Sequence, residues 1–150
     1  MDRSLIFTAD GLPQPKGSTR SFRHAVTGAV VTTHDNPKTR NWQGRVASAA
    51  ADAAQAAGWP LVVAGPVTVE ARFTLLRPLS VSPHRRPHHV VKPDLDKLLR
   101  AVGDALTGVL WRDDAQVVTW LAAKRYAESG ERARVDVWVR AFSPREEERA

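Results

Sequence analysis

The sequence predicts an α/β (α+β) fold: a single domain in which a mixed β-sheet carries two main helices. Three observations predict it. The chain has 150 residues, enough to bury one core without staples. Its hydrophobic pattern switches between the period of two that marks strands and the 3.6 that marks helices, in the order βββαβαββ. No internal repeat and no shift in composition divides it, so residues 1–142 are expected to form the domain and the charged residues 143–150 a mobile tail.

Each element has its own signal. Residues 5–9 read as a short strand, ended by the proline-rich segment 11–17. Residues 22–33 read as a hairpin, with β-capable runs at 23–26 and 29–33 flanking Thr27-Gly28. Asn36 is a candidate N-cap ahead of Pro37. The alanine-rich, proline-free stretch 39–57 reads as one long helix, because alanine is the best helix former, and Gly58 and Pro60 stop it. Val67, Val69, Ala71, Phe73 and Leu75 alternate with Thr68, Glu70, Arg72 and Thr74, the pattern of a half-buried strand. Pro78, Pro83 and Pro87 make residues 77–92 a loop. A second helix is expected from about Asp94 to Gly108. Its apolar residues Leu95, Leu98, Leu99, Val102, Ala105, Leu106 and Val109 keep the i, i+3, i+4, i+7 spacing of one buried stripe. Strands over about 116–126 and 132–142, joined through Glu128-Ser129-Gly130, close the domain.

Composition narrows the function. Lys and Arg number 22 against 16 Asp and Glu, a formal charge of +6. A hydrophobic fraction of 43% and a charged fraction of 25% exclude a wholly disordered or collagen-like chain. Cysteine is absent, which excludes disulfide scaffolds, zinc–thiolate sites, Fe–S clusters and thiol nucleophiles. Apolar runs such as 61–64 fall far short of the roughly 20 residues of a membrane span. Residues 1–10 lack the apolar region of a signal peptide, so an intracellular, cytoplasmic protein with no membrane partner is expected. The basic balance points to a polyanion, nucleic acid first.

Inside this basic chain stands an acidic cluster, Lys92-Pro93-Asp94-Leu95-Asp96, followed by Asp113-Asp114. In a regular helix Asp94 and Asp96 would point about 200° apart. An extended approach through Pro93 lets both converge on one point, and Asp113-Asp114 joins them if the last strands return alongside the helix start. Converging carboxylates are hard ligands suited to Mg²⁺ or Mn²⁺, and near phosphates such a metal activates water. A purely structural reading stands beside this one: Asp94 as an N-cap, Asp113-Asp114 as a turn. Asp96, Arg100 and Asp104 follow the spacing i, i+4, i+8 and line one polar strip opposite the apolar stripe. That strip is either a surface ion-pair ladder or a permanent cation set beside carboxylates for a phosphate.

The segments Lys92-Pro93-Asp94-Leu95-Asp96-Lys97-Leu98-Leu99-Arg100-Ala101-Val102-Gly103-Asp104-Ala105-Leu106 and Trp111-Arg112-Asp113-Asp114-Ala115-Gln116-Val117 resemble the signature of the RusA family of Holliday junction resolvases. That signature is a D-L-D-N…K…D-A-L helix followed by a D-D-x-Q-V turn. Gly11-Leu12-Pro13-Gln14-Pro15-Lys16-Gly17 is similar to the family's proline-rich opening loop. The resemblance implies a homodimeric, nucleoid-associated endodeoxyribonuclease that binds four-way DNA junctions and nicks two strands symmetrically with Mg²⁺ or Mn²⁺. It implies that Asp94, Asp96 and Asp114 bind metal, with Asp113, the first member of the pair, beside them. Arg100 falls where the family usually has an essential lysine; a guanidinium cannot lose its proton at usable pH, so its role here is electrostatic. Lys97 replaces the usual asparagine, and Asp104 matches a recurrent acidic position without an assigned role.

Six basic residues against two acidic ones lie between Arg77 and Arg100, so much of the net charge surrounds the acidic cluster. Arg85, Arg86, Lys92 and Lys97 here, with Lys16, Arg20 and Arg23 near the start, are the expected DNA-binding residues. Phe22 among them reads as a core residue, with base stacking as the other option. His88-His89 as a metal pair is disfavoured because adjacent side chains diverge. Trp42, Trp59, Trp111, Trp120 and Trp138 read as core or dimer anchors. Two further readings stay open: a less selective branched-DNA nuclease, and a non-catalytic basic DNA-binding module.

Overall fold

The computed structural model describes residues 2–17, 20–33, 36–60 and 63–142. The tail 143–150, and the side chains of Arg20 and Phe22, lie outside the described residues. The strands are β1 (Arg3–Asp10), β2 (Arg20–Arg23), β3 (Val30–Thr33), β4 (Val67–Leu75), β5 (Val117–Tyr126) and β6 (Arg134–Ala141). The helices are α1 (Pro37–Ala57) and α2 (Leu95–Leu106), and a single 3-10 turn, Asp114–Gln116, precedes β5.

Four strands form one mixed sheet in the order β1-β6-β4-β5. β4 and β5 are parallel, whereas β1–β6 and β4–β6 are antiparallel. β2 and β3 pair with each other as a separate antiparallel ribbon. Alternation along each strand sends one set of side chains toward the helices. Leu5 and Phe7 of β1, Val69 and Phe73 of β4, and Val135 and Val137 of β6 join Trp42 and Val46 of α1 and Leu98, Val102 and Leu106 of α2 in one core. Leu98 and Leu106 keep no exposed surface, and burying each stabilises the fold by about 1.5–3 kcal/mol. The opposite face of the sheet carries Ile6, Arg72, Leu121 and Trp138, with the Arg72 guanidinium 5.2 Å from the Trp138 ring. Trp42, Trp59 and Trp111 are buried and Trp120 packs on the core, so four of the five tryptophans serve it. Among the described residues no helix is long and apolar enough to cross a membrane.

The element order agrees with the sequence reading, and α1 starts and stops as its residues dictate. Asn36 accepts from Lys38 N, Pro37 occupies the first turn, and Gly58 closes the helix at φ 65°. Several boundaries and one cap differ from that reading. The first hairpin strand lies three residues earlier than expected, at 20–23, because His24 organises a wide turn: its Nδ1 accepts from Val26 N at 3.2 Å and Thr27 N at 3.3 Å, and its carbonyl accepts from Gly28 N. α2 ends at Leu106, since Thr107 leaves the helical conformation at ψ 127°. Asp94 occupies the N-cap position, but its side chain makes no capping hydrogen bond.

The β5–β6 connection is tied by one carboxylate. Glu131 accepts two hydrogen bonds of 2.6 Å from Arg125 and one of 3.1 Å from Arg134, and a fourth from Glu128 N at 3.0 Å. These bonds, led by Arg125, hold its carboxyl well below the ordinary 4.5. A depressed folded-state value stabilises the protein above the unfolded value and ceases to do so as the group is protonated. Glu131→Gln is therefore expected to lower the melting temperature at pH 7. The gap to the native chain should close as the pH falls below about 4.5, which thermal melts across pH 2–7 would measure.

Candidate functional site

Lys124 of β5 fixes where α2 begins. Its half-buried ammonium donates to the carbonyls of Val91 at 2.8 Å and Pro93 at 2.9 Å, pinning the segment before the helix to the sheet. Asp94 follows with extended backbone (φ −68°, ψ 140°) and its carboxylate lies 3.7 Å from Lys97 Nζ. Free of capping, that carboxylate remains available to a ligand.

Along the exposed side of α2 runs a shallow groove of about 270 Å³. Asp96, Arg100 and Asp104 line it from the helix, and Asp114 lines it from the turn before β5. The expected polar strip is therefore real, but it is not an ion-pair ladder. Asp104 pairs instead with Lys16, which reaches over from the proline-rich loop, whose backbone is held by Lys16 N donating to the Lys97 carbonyl at 3.0 Å. Among the described residues Arg100 makes no ion pair, so its charge faces the groove uncompensated. Leu99, Gly103 and Trp120 complete the lining. A Cβ on Gly103 would come 3.4 Å from the Trp120 indole, which leans edge-on to Trp111 with ring centroids 6.3 Å apart.

The two aspartates of the turn have different tasks. Asp113 Oδ1 accepts from Ala115 N at 2.9 Å, capping the turn. Gln116 completes the cap: its Oε1 accepts from Arg112 N at 2.8 Å and Asp113 N at 2.9 Å. Its Nε2 donates to the carbonyls of Val63 and Gly65, at 2.8 and 2.9 Å. Asp113 is thus committed to backbone, the physical reason for treating it apart from Asp114. Asp114 accepts a hydrogen bond from the Thr107 hydroxyl, which itself accepts from Trp111 Nε1 at 3.0 Å. The D-x-x-Q spacing of a capping box was legible for Gln116; nothing local in the sequence marks Lys124 or Thr107.

The acidic residues are aligned rather than gathered. The twelve residues of α2 carry the chain about 18 Å, with Asp94 at one end and Thr107 and Asp114 at the other. Among the described residues no three acidic or histidine side chains stand close enough to hold a metal ion together. A second hollow, of about 480 Å³, lies on the other side of the helix start; Asp94, Lys92 and Lys97 line it with Pro13, Pro15 and His89. Of the remaining basic residues, Arg23 and Arg85 are exposed, and Arg86 is half-buried with Nη1 3.5 Å from the Tyr126 hydroxyl. His88 is exposed, whereas His89 is buried with its ring 4.7 Å from that of Tyr126, so the two do not form a pair.

Three comparisons bear on this arrangement. The family described as Endodeoxyribonuclease RusA matches the chain over residues 11–139. The uncharacterized protein YqaN of Bacillus subtilis (strain 168) is 27% identical over 148 residues, covering 93% of this chain and 97% of its own length. The solved structure of 2C-methyl-D-erythritol 2,4-cyclodiphosphate synthase from Plasmodium vivax aligns over 93% of this chain and 96% of its own at 12% identity, with a TM-score of 0.26, too low to bear on fold or function.

The position of Asp114 depends on Gln116. Gln116→Ala leaves two backbone donors and two carbonyls without their partner, a loss of about 2–3 kcal/mol. Urea denaturation should register that loss, while Asp113→Ala, which removes one bond, should cost about 1 kcal/mol.

Proposed function

The chain belongs to the RusA endodeoxyribonuclease family, and from that membership we propose that it binds four-way DNA junctions and resolves them by paired, symmetric nicks through metal-dependent phosphodiester hydrolysis. The observation that supports this most directly is the groove along α2, where Arg100, without an ion pair among the described residues, lies beside Asp96, Asp104 and Asp114. The donors suit Mg²⁺ or Mn²⁺: they are carboxylates only, and those of Asp94 and Asp96 are open to solvent and engaged in no cap. Asp94, Asp96 and Asp114 are the carboxylates we propose for the metal, with Asp113 kept for the turn; because Asp94 and Asp114 stand at opposite ends of α2, no single ion would be shared by all three of one chain. Because Mg²⁺ is commonly held by one or two carboxylates with phosphates and waters filling the rest, a three-carboxylate cage is not required. Bound there, the metal supplies an activated water and neutralises charge at the scissile phosphate.

The chain's own residues do the remaining work in this reading. Arg100 stays protonated and meets the charge that develops on the phosphate. Lys16, by pairing with Asp104, fixes the rim of the groove. Lys92, Lys97, Arg85 and Arg86, with Arg20 and Arg23 on the β2–β3 ribbon, track the flanking phosphates, which makes binding salt-dependent and neutral to sequence. Symmetric nicks need two such grooves, so the acting unit is a homodimer working on DNA in the cytoplasm. A non-catalytic DNA-binding module is favoured by one observation, the lack of a gathered three-ligand cluster among the described residues.

One cleavage assay separates these readings. Asp94→Asn, Asp96→Asn and Asp114→Asn should each retain junction binding in EDTA and lose nicking in Mg²⁺, and Arg100→Gln should lower the nicking rate about 10²-fold. Undiminished Mg²⁺-dependent nicking by the three asparagine variants would refute the site. A native chain that binds but never cuts would establish the binding module. Equal cutting of a four-way junction, a flap and a linear duplex would establish the less selective nuclease.

A further inference from the structure

The hollow of about 480 Å³ beside Asp94 has a construction the groove lacks. Much of its wall is apolar: Pro13 and Pro15 come from one loop, Pro78 and Val91 from another. Two aromatic rings close it, those of His89 and Tyr126, 4.7 Å apart and tilted by 51°. Behind Tyr126 the Arg77 guanidinium lies 4.1 Å from the ring centroid and also bonds the Arg86 carbonyl, which fixes the loop that carries the wall. Lys92 and Lys97 share the lining with the Asp94 carboxylate. A duplex cannot enter a concavity of this size. A flat, uncharged group tethered between two phosphates matches both parts.

His89 adds a polar feature on the wall. It is 8% exposed, and its Nδ1 is buried without a hydrogen-bond partner among the described residues. Burial first, then Lys124 and Arg86, lowers its pKa, so the ring is neutral near pH 7. A neutral imidazole can donate and accept, which a base edge requires. The location is equally specific: Asp94, proposed above as a metal ligand, is a wall of this hollow and begins the helix whose other side is the groove.

Resting on the junction-cleaving reading, we propose that this hollow receives an unpaired nucleobase of branched DNA, stacked against His89 and Tyr126, from a nucleotide next to the phosphate bound along α2. Bases at a branch point are the least costly to unpair. Held this way, one base sets which phosphate lies beside Asp94, so the hollow selects the bond to be cut.

The test is photo-cross-linking of the full chain to four-way junctions carrying one 5-iododeoxyuridine at successive branch-point positions, in EDTA so that nothing is cut. The expected result is an adduct on the peptide containing His89 or Tyr126, confined to one or two positions. Val91→Trp, a substitution at an exposed position that fills the hollow, should abolish that adduct and weaken junction binding about tenfold, the scale of one lost base stack. Adducts found only elsewhere on a bound junction overturn the proposal. Native affinity and an unchanged adduct in Val91→Trp overturn it too. Parallel Mg²⁺ reactions keep the two readings apart: cutting without the adduct removes this proposal alone, while the adduct without cutting removes the nuclease reading and leaves the base site standing.

Discussion

β4 and β5 run side by side in the same direction, and two parallel neighbours cannot be joined by a hairpin. The chain must cross back over the sheet between them, and α2 is that crossing. Its buried stripe of Leu98, Ala101, Val102 and Leu106 seals the core, which leaves the opposite strip, Asp96, Arg100 and Asp104, in solvent. Because the crossing starts at the end of β4 and finishes at the start of β5, Asp94 and Asp114 are set at its two ends. The distribution of acidic residues thus follows from strand direction. The groove uses one side of this helix and the turn at its end, and the hollow uses the loops packed at its start.

The charge pattern is arranged on a finer scale than net charge conveys. Two lysines pair with acidic residues of the α2 region, Lys16 with Asp104 and Lys97 with Asp94. Such half-exposed pairs stabilise a fold by about 0–1 kcal/mol, so their effect on folding is small. Their effect on local potential is larger: they offset carboxylates that would repel a phosphate, while Arg100 keeps its full charge. Lys124 acts differently, spending its ammonium on two carbonyls and so setting the backbone from which Asp94 projects.

Periodicity carried most of the fold. The strong alternation of residues 67–75 and the single stripe of α2 made their elements and buried faces legible, because burial imposes those periods directly. Local chemistry was less legible where it competes with a regular pattern. His24 widens the hairpin turn and so displaces its first strand, through side-chain bonds that no hydrophobic pattern encodes. Asp94 has the residue type and position of a cap and does not act as one. The strip on α2 was foreseen from spacing, and the family signature singled out Asp94, Asp96 and Asp114 together. Their separation along the helix was not foreseen, since it depends on which way β5 runs, a long-range property. The hollow at His89 and Tyr126 was invisible for the same reason: its walls come from four distant stretches of chain.

The contact between Gly103 and Trp120 constrains how this site can drift over generations. Alanine at position 103 would just fill the gap to the indole, and anything larger would have to push the ring off the helix and open the groove floor. The two positions therefore form an evolutionary pair that must change together. In descendants of this chain, a bulkier residue at 103 should arrive only with a smaller one at 120, so covariation between these two sites would record the helix–strand contact without any structure being determined.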